Sequence, residues 1–122
     1  MYNQKVMSVF QNPKNVGEIE NPDGVGTVGS EACGDIMQIF MRITDGVIVD
    51  VKFKTFGCAA AIAASSVATE MIKGATIEQA LNLKNKDVVD MLEGLPAQKI
   101  HCSVLAEEAI KAAIENYRSK NV

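Results

Sequence analysis

Ile36-Met37-Gln38-Ile39-Phe40-Met41-Arg42-Ile43-Thr44-Asp45-Gly46-Val47-Ile48-Val49-Asp50-Val51-Lys52-Phe53-Lys54-Thr55-Phe56 is the stretch whose reading decides the fold. Two runs rich in β-branched and aromatic residues flank Thr44-Asp45-Gly46, where Asp-Gly supplies the positive φ angles of a tight hairpin. In the second run Val47, Val49, Val51 and Phe53 alternate with Ile48, Asp50, Lys52 and Lys54. That alternation predicts one apolar face and one mixed face open to water. Upstream, Asn15 to Gly34 holds five glycines and Pro22, a loop signature with room for at most one short strand around Val25 to Val28. Before it, Tyr2, Val6, Val9 and Phe10 follow helical spacing and Pro13 forbids continuation, so residues 2–10 read as a short helix.

Downstream the pattern turns helical. Residues 59–73 place Ala60, Ala63, Ala64, Val67 and Met71 on one stripe and Ser65, Ser66, Thr69, Glu70 and Lys73 on another, with Gly74 as the stop. So many alanines let a helix lie close to a sheet. Thr76 with Gln79 forms a capping box for a short helix through Leu81, and Val88, Met91 and Leu92 mark another, ended by Gly94 and Pro96. In the last helix Ala106, Ala109, Ile110, Ala113, Ile114 and Tyr117 make the apolar face, with Glu107 and Lys111 paired on the wet side. Strands followed by helices give an α+β class: a small antiparallel sheet of about three strands with helices on one face, an N-terminal helix and a long C-terminal helix. The expectation is a single domain over residues 1–122.

Composition narrows the function. Twelve Lys and Arg stand against fifteen Asp and Glu with no basic block, which excludes a phosphate-driven nucleic-acid binder. No apolar run approaches the ~20 residues of a membrane span, and Met1-Tyr2-Asn3-Gln4-Lys5 lacks the features of a signal peptide. A cytoplasmic protein is expected, its cysteines reduced.

The three cysteines are Cys33, Cys58 and Cys102, each at an element boundary, where sites are built on rigid frames. Cys58 opens the alanine helix and Cys102 the last helix. A helix N-terminus favours thiolate over thiol, and with it nucleophilicity and metal binding. A lone cysteine is more often a small buried hydrophobe, but three at loop ends shift that balance. Asp35 stands two residues after Cys33, and His101 immediately precedes Cys102. Three thiolates, a carboxylate and an imidazole suffice for a four-coordinate zinc or iron–sulfur site with one ligand to spare, which permits exchange. Taken singly, His101 reads as an exposed or capping residue and Asp35 as a turn residue. Adjacent His101 and Cys102 both facing one centre implies irregular backbone, so His101 is expected in a turn. Lys99 is a solvated loop charge that a thiolate neighbour would turn into a tuning cation.

Ala32-Cys33-Gly34-Asp35, Phe53-Lys54-Thr55-Phe56-Gly57-Cys58, Ile62-Ala63, Lys99-Ile100-His101-Cys102-Ser103 and Leu105-Ala106-Glu107 together resemble the IscU/NifU-type iron–sulfur cluster scaffold proteins, Isc branch, from Tyr2 to about Lys120. The resemblance implies a non-enzymatic scaffold on which [2Fe–2S] clusters are built and then handed to apo iron–sulfur acceptor proteins. Iron would come as Fe2+ and sulfur from an IscS/NifS-type cysteine desulfurase, with a ferredoxin or other electron donor. It further implies Cys33, Cys58 and Cys102 as ligand thiolates, Cys102 as persulfide acceptor, Asp35 as promoter of cluster lability or iron loading, and His101 as ligand or exchange partner. Zn2+ would occupy the purified apo form, and a homodimer is compatible.

The chain departs from the family pattern in two places. Members served by an Hsp70-type chaperone carry Leu-Pro-Pro-Val-Lys before the Ile-His-Cys, whereas Leu95-Pro96-Ala97-Gln98-Lys99 keeps only Leu95, Pro96 and Lys99, predicting weak or no chaperone stimulation. The family's Gly-Cys-Gly-Ser is Gly57-Cys58-Ala59-Ala60 here. The runner-up reading is a zinc-binding structural or regulatory module built from the same residues. A hydrolase with Cys102 as nucleophile and His101 as base ranks third, because sequence neighbours rarely reach one another that way.

Overall fold

The computed structural model describes residues 2–30 and 34–120. Eight elements follow in order: α1 (Gln4–Gln11), β1 (Gly24–Ser30), β2 (Asp35–Thr44), β3 (Val47–Phe56), α2 (Ala59–Ile72), α3 (Ile77–Leu81), α4 (Asn85–Met91) and α5 (Ile100–Lys120), with a one-turn 3-10 helix at Ala97–Lys99 leading into α5. The strands form one antiparallel sheet in the order β1-β2-β3. The α+β class therefore stands. No helix among the described residues is long and apolar enough to cross a membrane.

The hairpin turns where Asp45 and Gly46 both adopt positive φ, 52° and 76°, as the Asp-Gly pair requires. Its facing differs from the alternation read in the sequence. Arg42 pairs with Asp50 but Ile43 pairs with Ile48, so Val49 is an extra residue in a β-bulge. A bulge reverses the side-chain parity beyond it. Ile48, Val51 and Phe53 accordingly face the core, while Val49 is 46% exposed. On β2 the inward set is Met37, Ile39, Met41 and Ile43, all buried.

The glycine-rich approach to the hairpin holds its one strand where expected, and β1 extends past Val25–Val28 at both ends, to Gly24 and Ser30. Gly24 and Gly26 sit on the face of β1 that meets α5. A Cβ on Gly26 would run into the Ala109 carbonyl oxygen and the Ala113 amide nitrogen and stand 2.9 Å from Ala112 Cβ. Those glycines are present because helix and strand backbones touch, a use of glycine that loop chemistry does not capture. Ala109 and Ala113 are fully buried at the same contact.

α2 is sheathed on more sides than its stripe predicted. Ser65, Ser66 and Thr69 are buried with Ala60, Ala63, Ala64 and Val67, because α2 packs on β3, α1, α4 and α5 at once. Their hydroxyls are satisfied locally: Ser65 Oγ donates to the Ala61 carbonyl and Thr69 Oγ1 to the Ser65 carbonyl, each at 2.8 Å. Thr55 and Ser65 hydroxyls meet at 2.7 Å. Among the described residues no buried side-chain polar atom lacks a partner, as a low-dielectric interior demands. Gly74 and Gly94, at φ 86° and 107°, follow α2 and α4 in the left-handed region that glycine tolerates.

Glu107 is not a wet-side residue. Its side chain is 18% exposed, and its carboxylate accepts from the Asn85 backbone N–H at 2.7 Å and from Lys111 Nζ at 3.0 Å. Desolvation raises the Glu107 pKa, but the Lys111 and Asn85 hydrogen bonds and the nearby Lys111 and Lys84 charges outweigh it and hold it below the ordinary 4.5. A depressed folded pKa means stability that is present above the unfolded value and lost as pH falls through the folded one. Glu107→Gln is therefore expected to lower unfolding free energy by about 1 kcal/mol at neutral pH. Urea denaturation at pH 7 and again well below the carboxylate range checks this, since the difference between variant and parent must vanish in acid.

Candidate metal centre

Three separate elements aim side chains at one point. Asp35 opens β2, Cys58 is the N-cap residue of α2, and Cys102 lies in the first turn of α5. The ligand atoms of these three residues all lie within 4.8 Å of one another. Cys58 Sγ and Cys102 Sγ are 3.7 Å apart, too far for a disulfide, and both are free thiols. Asp35 Oδ2 is 3.6 Å from Cys102 Sγ and 3.9 Å from Cys58 Sγ. His101 Nε2 adjoins two of the three, at 3.6 Å from Cys102 Sγ and 3.5 Å from Asp35 Oδ2.

Those separations have a simple meaning. Two thiolates about 2.3 Å from one tetrahedral ion lie roughly 3.7 Å apart, and a thiolate lies roughly 3.5 Å from a carboxylate oxygen or imidazole nitrogen on the same ion. The observed edges match this figure without displacement of the backbone. Soft sulfur beside carboxylate and imidazole is a donor set for zinc or for iron in a sulfur-rich site. Cys33, the remaining predicted ligand, lies outside the described residues.

His101 is helical rather than in a turn. The 3-10 turn at Ala97–Lys99 winds directly into α5, and the length of the imidazole lets Nε2 fold back onto its neighbour's sulfur, so no irregular backbone is needed. The two neighbours thus do reach each other, but both also abut the Asp35 carboxylate, which makes one cluster of potential ligand atoms rather than an isolated nucleophile and base.

The electrostatics correct a second expectation. Cys102 is fully buried, and burial first, then the nearby Cys58 and Asp35, push its thiol well above the ordinary cysteine range. Desolvation and negative neighbours therefore prevail over the helix-terminus effect at this thiol. A metal ion bound here would supply the missing positive charge, and its binding would have to displace the Cys102 proton. Asp35 is likewise buried, at 2% exposure, with the Cys58 backbone N–H donating to its Oδ1 at 3.3 Å. Half-buried Cys58 is the thiol nearer solvent.

Two residues carry parts of this centre that sequence reading missed. Tyr2, placed there on an apolar helix stripe, has its phenol pKa raised, first by burial and then by a hydrogen bond with the Cys58 side chain and the Cys58 charge. Nothing in its spacing signals this. The Lys99 pKa is raised chiefly by Cys58 and then Tyr2, so the loop cation does stand in the field of the thiols. Gly57 makes room for Asp35: a Cβ there would collide with Asp35 Oδ1 and stand 2.8 Å from its Cγ. A glycine at a strand end with no turn to make was the available signal. Gly57→Ala is expected to swing the Asp35 carboxylate out and weaken zinc binding by about 10- to 100-fold while leaving the fold intact. Competition against a chromophoric chelator reads this, and unaltered affinity would remove Asp35 from the ligand set.

Comparison with known proteins adds the following. The family model described as NifU-like N terminal domain matches residues 1–122. The iron–sulfur cluster assembly scaffold protein IscU 1 of Archaeoglobus fulgidus is 58% identical over 121 residues, covering 99% of this chain and 79% of the relative. The IscU scaffold protein of Escherichia coli is 50% identical over 123 residues, covering 98% and 95%. Among solved structures, a SUF-system scaffold protein from Fervidobacterium islandicum superposes with a TM-score of 0.81 at 23% identity, covering 93% of this chain and 96% of that one. A NifU-like protein's N-terminal region from Brucella abortus gives 0.76 at 23% identity, covering 97% and 94%.

Proposed function

The chain belongs to the NifU-like N terminal domain family, and from that premise we propose that it is a scaffold for building [2Fe–2S] clusters, not an enzyme in its own right. The observation that carries this reading is the convergence of Asp35, Cys58, Cys102 and His101 at the edge lengths of a metal coordination shell. Its relatives are named iron–sulfur cluster assembly scaffold proteins. Iron and sulfur are cargo here, delivered and later surrendered.

In this reading Cys33, Cys58 and Cys102 supply thiolates, and Asp35 with His101 compete for the remaining position. A set with one ligand to spare lets an incoming acceptor thiolate displace a weaker oxygen or nitrogen donor without a bare-iron intermediate. Sulfur arrives as a persulfide on a cysteine desulfurase. Cys102 gives its proton to the His101 imidazole, whose Nε2 is 3.6 Å away, Sγ attacks the terminal sulfur, the desulfurase S–S bond breaks, and the desulfurase thiolate leaves. Reducing equivalents come from a ferredoxin-type donor. Residues 1–122 act as one scaffold domain in a reducing compartment, the cytoplasm. Leu95 packs against the core and Ala97–Lys99 is wound into a 3-10 turn, which supports weak chaperone engagement of that segment.

The test is anaerobic reconstitution with ferrous iron, cysteine and a cysteine desulfurase, followed by visible absorption and transfer to an apo-ferredoxin. A transferable sulfide-to-iron band is the expected result; a colourless protein that keeps zinc and yields no holo-ferredoxin overturns the scaffold reading in favour of a zinc module. Asp35→Ala is expected to retain its cluster longer than the parent in the same transfer assay, and an equal decay rate would strip Asp35 of its role in release.

A further inference from the structure

A groove away from the metal centre runs between α1, α2 and α4, with a volume of about 530 Å³, and none of Asp35, Cys58, His101 or Cys102 lines it. Val9, Val67, Met71 and Met91 give it an apolar floor, and Lys5, Lys14 and Glu70 are its charged lining residues. Its size falls within the range of small-molecule sites, as does the combination of apolar walls with few polar groups.

The groove is held open by hydrogen bonds at both ends of α1. Asn3 Nδ2 donates to the carbonyls of Leu92, Glu93 and Gly94, each at 3.1 Å, which ties the start of α1 to the end of α4. Beyond its other end the Lys14 backbone N–H donates to Ser66 Oγ on α2 at 2.9 Å. A pre-formed cavity spares a ligand the ordering cost of making one.

Its charges define the occupant. Among the described residues neither Lys5 nor Lys14 has an ion-pair partner. Glu70, which also accepts from Asn15 Nδ2 at 3.0 Å, sets one carboxylate against the two ammonium groups. One net positive charge therefore remains in a chain whose overall charge is −3. Met91 is 50% exposed at the groove, and methionine adapts its shape to flexible apolar chains. We propose that this groove binds a monoanionic amphiphile, a medium-chain carboxylate, with its chain along Val9, Val67, Met71 and Met91 and its head held by Lys5.

The experiment is a 1H–15N titration of the whole chain with decanoate, with decylammonium and acetate as comparators. Decanoate is expected to shift the amides of Val9, Val67, Met71 and Met91 saturably and to bind more tightly than decylammonium, while acetate leaves them in place. Lys5→Glu reverses the net charge of the lining, so decanoate affinity should fall by at least about tenfold and decylammonium should become the preferred ligand. Met91→Trp, at an exposed position that tolerates bulk, should block both chains. Shifts scattered outside the groove, equal affinity for the two amphiphiles, or a decanoate affinity that survives Lys5→Glu would each overturn the assignment. Because the groove shares no residue with the metal centre, the reconstitution assay reports independently on the scaffold reading.

Discussion

Replacing Cys102 by Ser is expected to abolish persulfide uptake and to lower zinc affinity by more than about 100-fold, since loss of a supporting residue alone costs 10- to 100-fold and here a ligand itself is removed. The hydroxyl is close in shape to the thiol but does not ionise at neutral pH, so a fully buried position would hold a neutral oxygen where the shell needs an anion. The neighbours magnify the effect. Cys58 Sγ and Asp35 Oδ2, which lie 3.7 Å and 3.6 Å from Cys102 Sγ, would be left with an uncharged hydroxyl in place of the third anionic donor. The checks are labelling of the protein by a desulfurase with radioactive cysteine sulfur, and competition for zinc against a chromophoric chelator. Undiminished labelling of the variant would shift the acceptor role to another thiol, Cys58 or Cys33. Zinc affinity within tenfold of the parent's would sink the metal centre as described.

Gly26→Val should strongly destabilise the domain. A side chain at this position meets the backbone of α5 at Ala109 and Ala113 as well as Ala112 Cβ at 2.9 Å, and backbone in the middle of a 21-residue helix has little room to give. Overpacking of this kind costs roughly 3 kcal/mol and upward, a large share of the 5–15 kcal/mol typical of a domain. Gly29→Ala is the control on the same strand. Its Cβ would find Asp35 O at 3.5 Å and Ile36 Cγ1 at 3.6 Å, ordinary contact, so stability should hold or rise slightly as the unfolded chain loses freedom. Thermal unfolding of the two variants separates the cases, and a Gly26→Val midpoint matching the Gly29→Ala midpoint would refute the close approach of β1 and α5.

Much of the fold was legible because local signals agreed with one another. Asp45-Gly46, the Thr76–Gln79 capping box, Gly74 and Gly94 each have chemistry that acts within a few residues, and each turned up where its chemistry requires. What failed was reading through a feature set elsewhere. The bulge at Val49 answers to the pairing partner across the ladder, and the burial of Ser65, Ser66 and Thr69 answers to how many elements surround α2. Periodicity along one segment carries neither.

The division at the metal centre is similar. The residue types in the sequence determined that thiols, a carboxylate and an imidazole were available at element boundaries, because ligand chemistry resides in the side chain itself. Only the tertiary structure decided that Asp35, Cys58, His101 and Cys102 come within reach of one point, that Cys102 is held as a buried thiol, and that Gly57 clears space for Asp35. Distance, desolvation and excluded volume are properties of groups from distant parts of the chain brought together, and a linear sequence encodes them only through the fold.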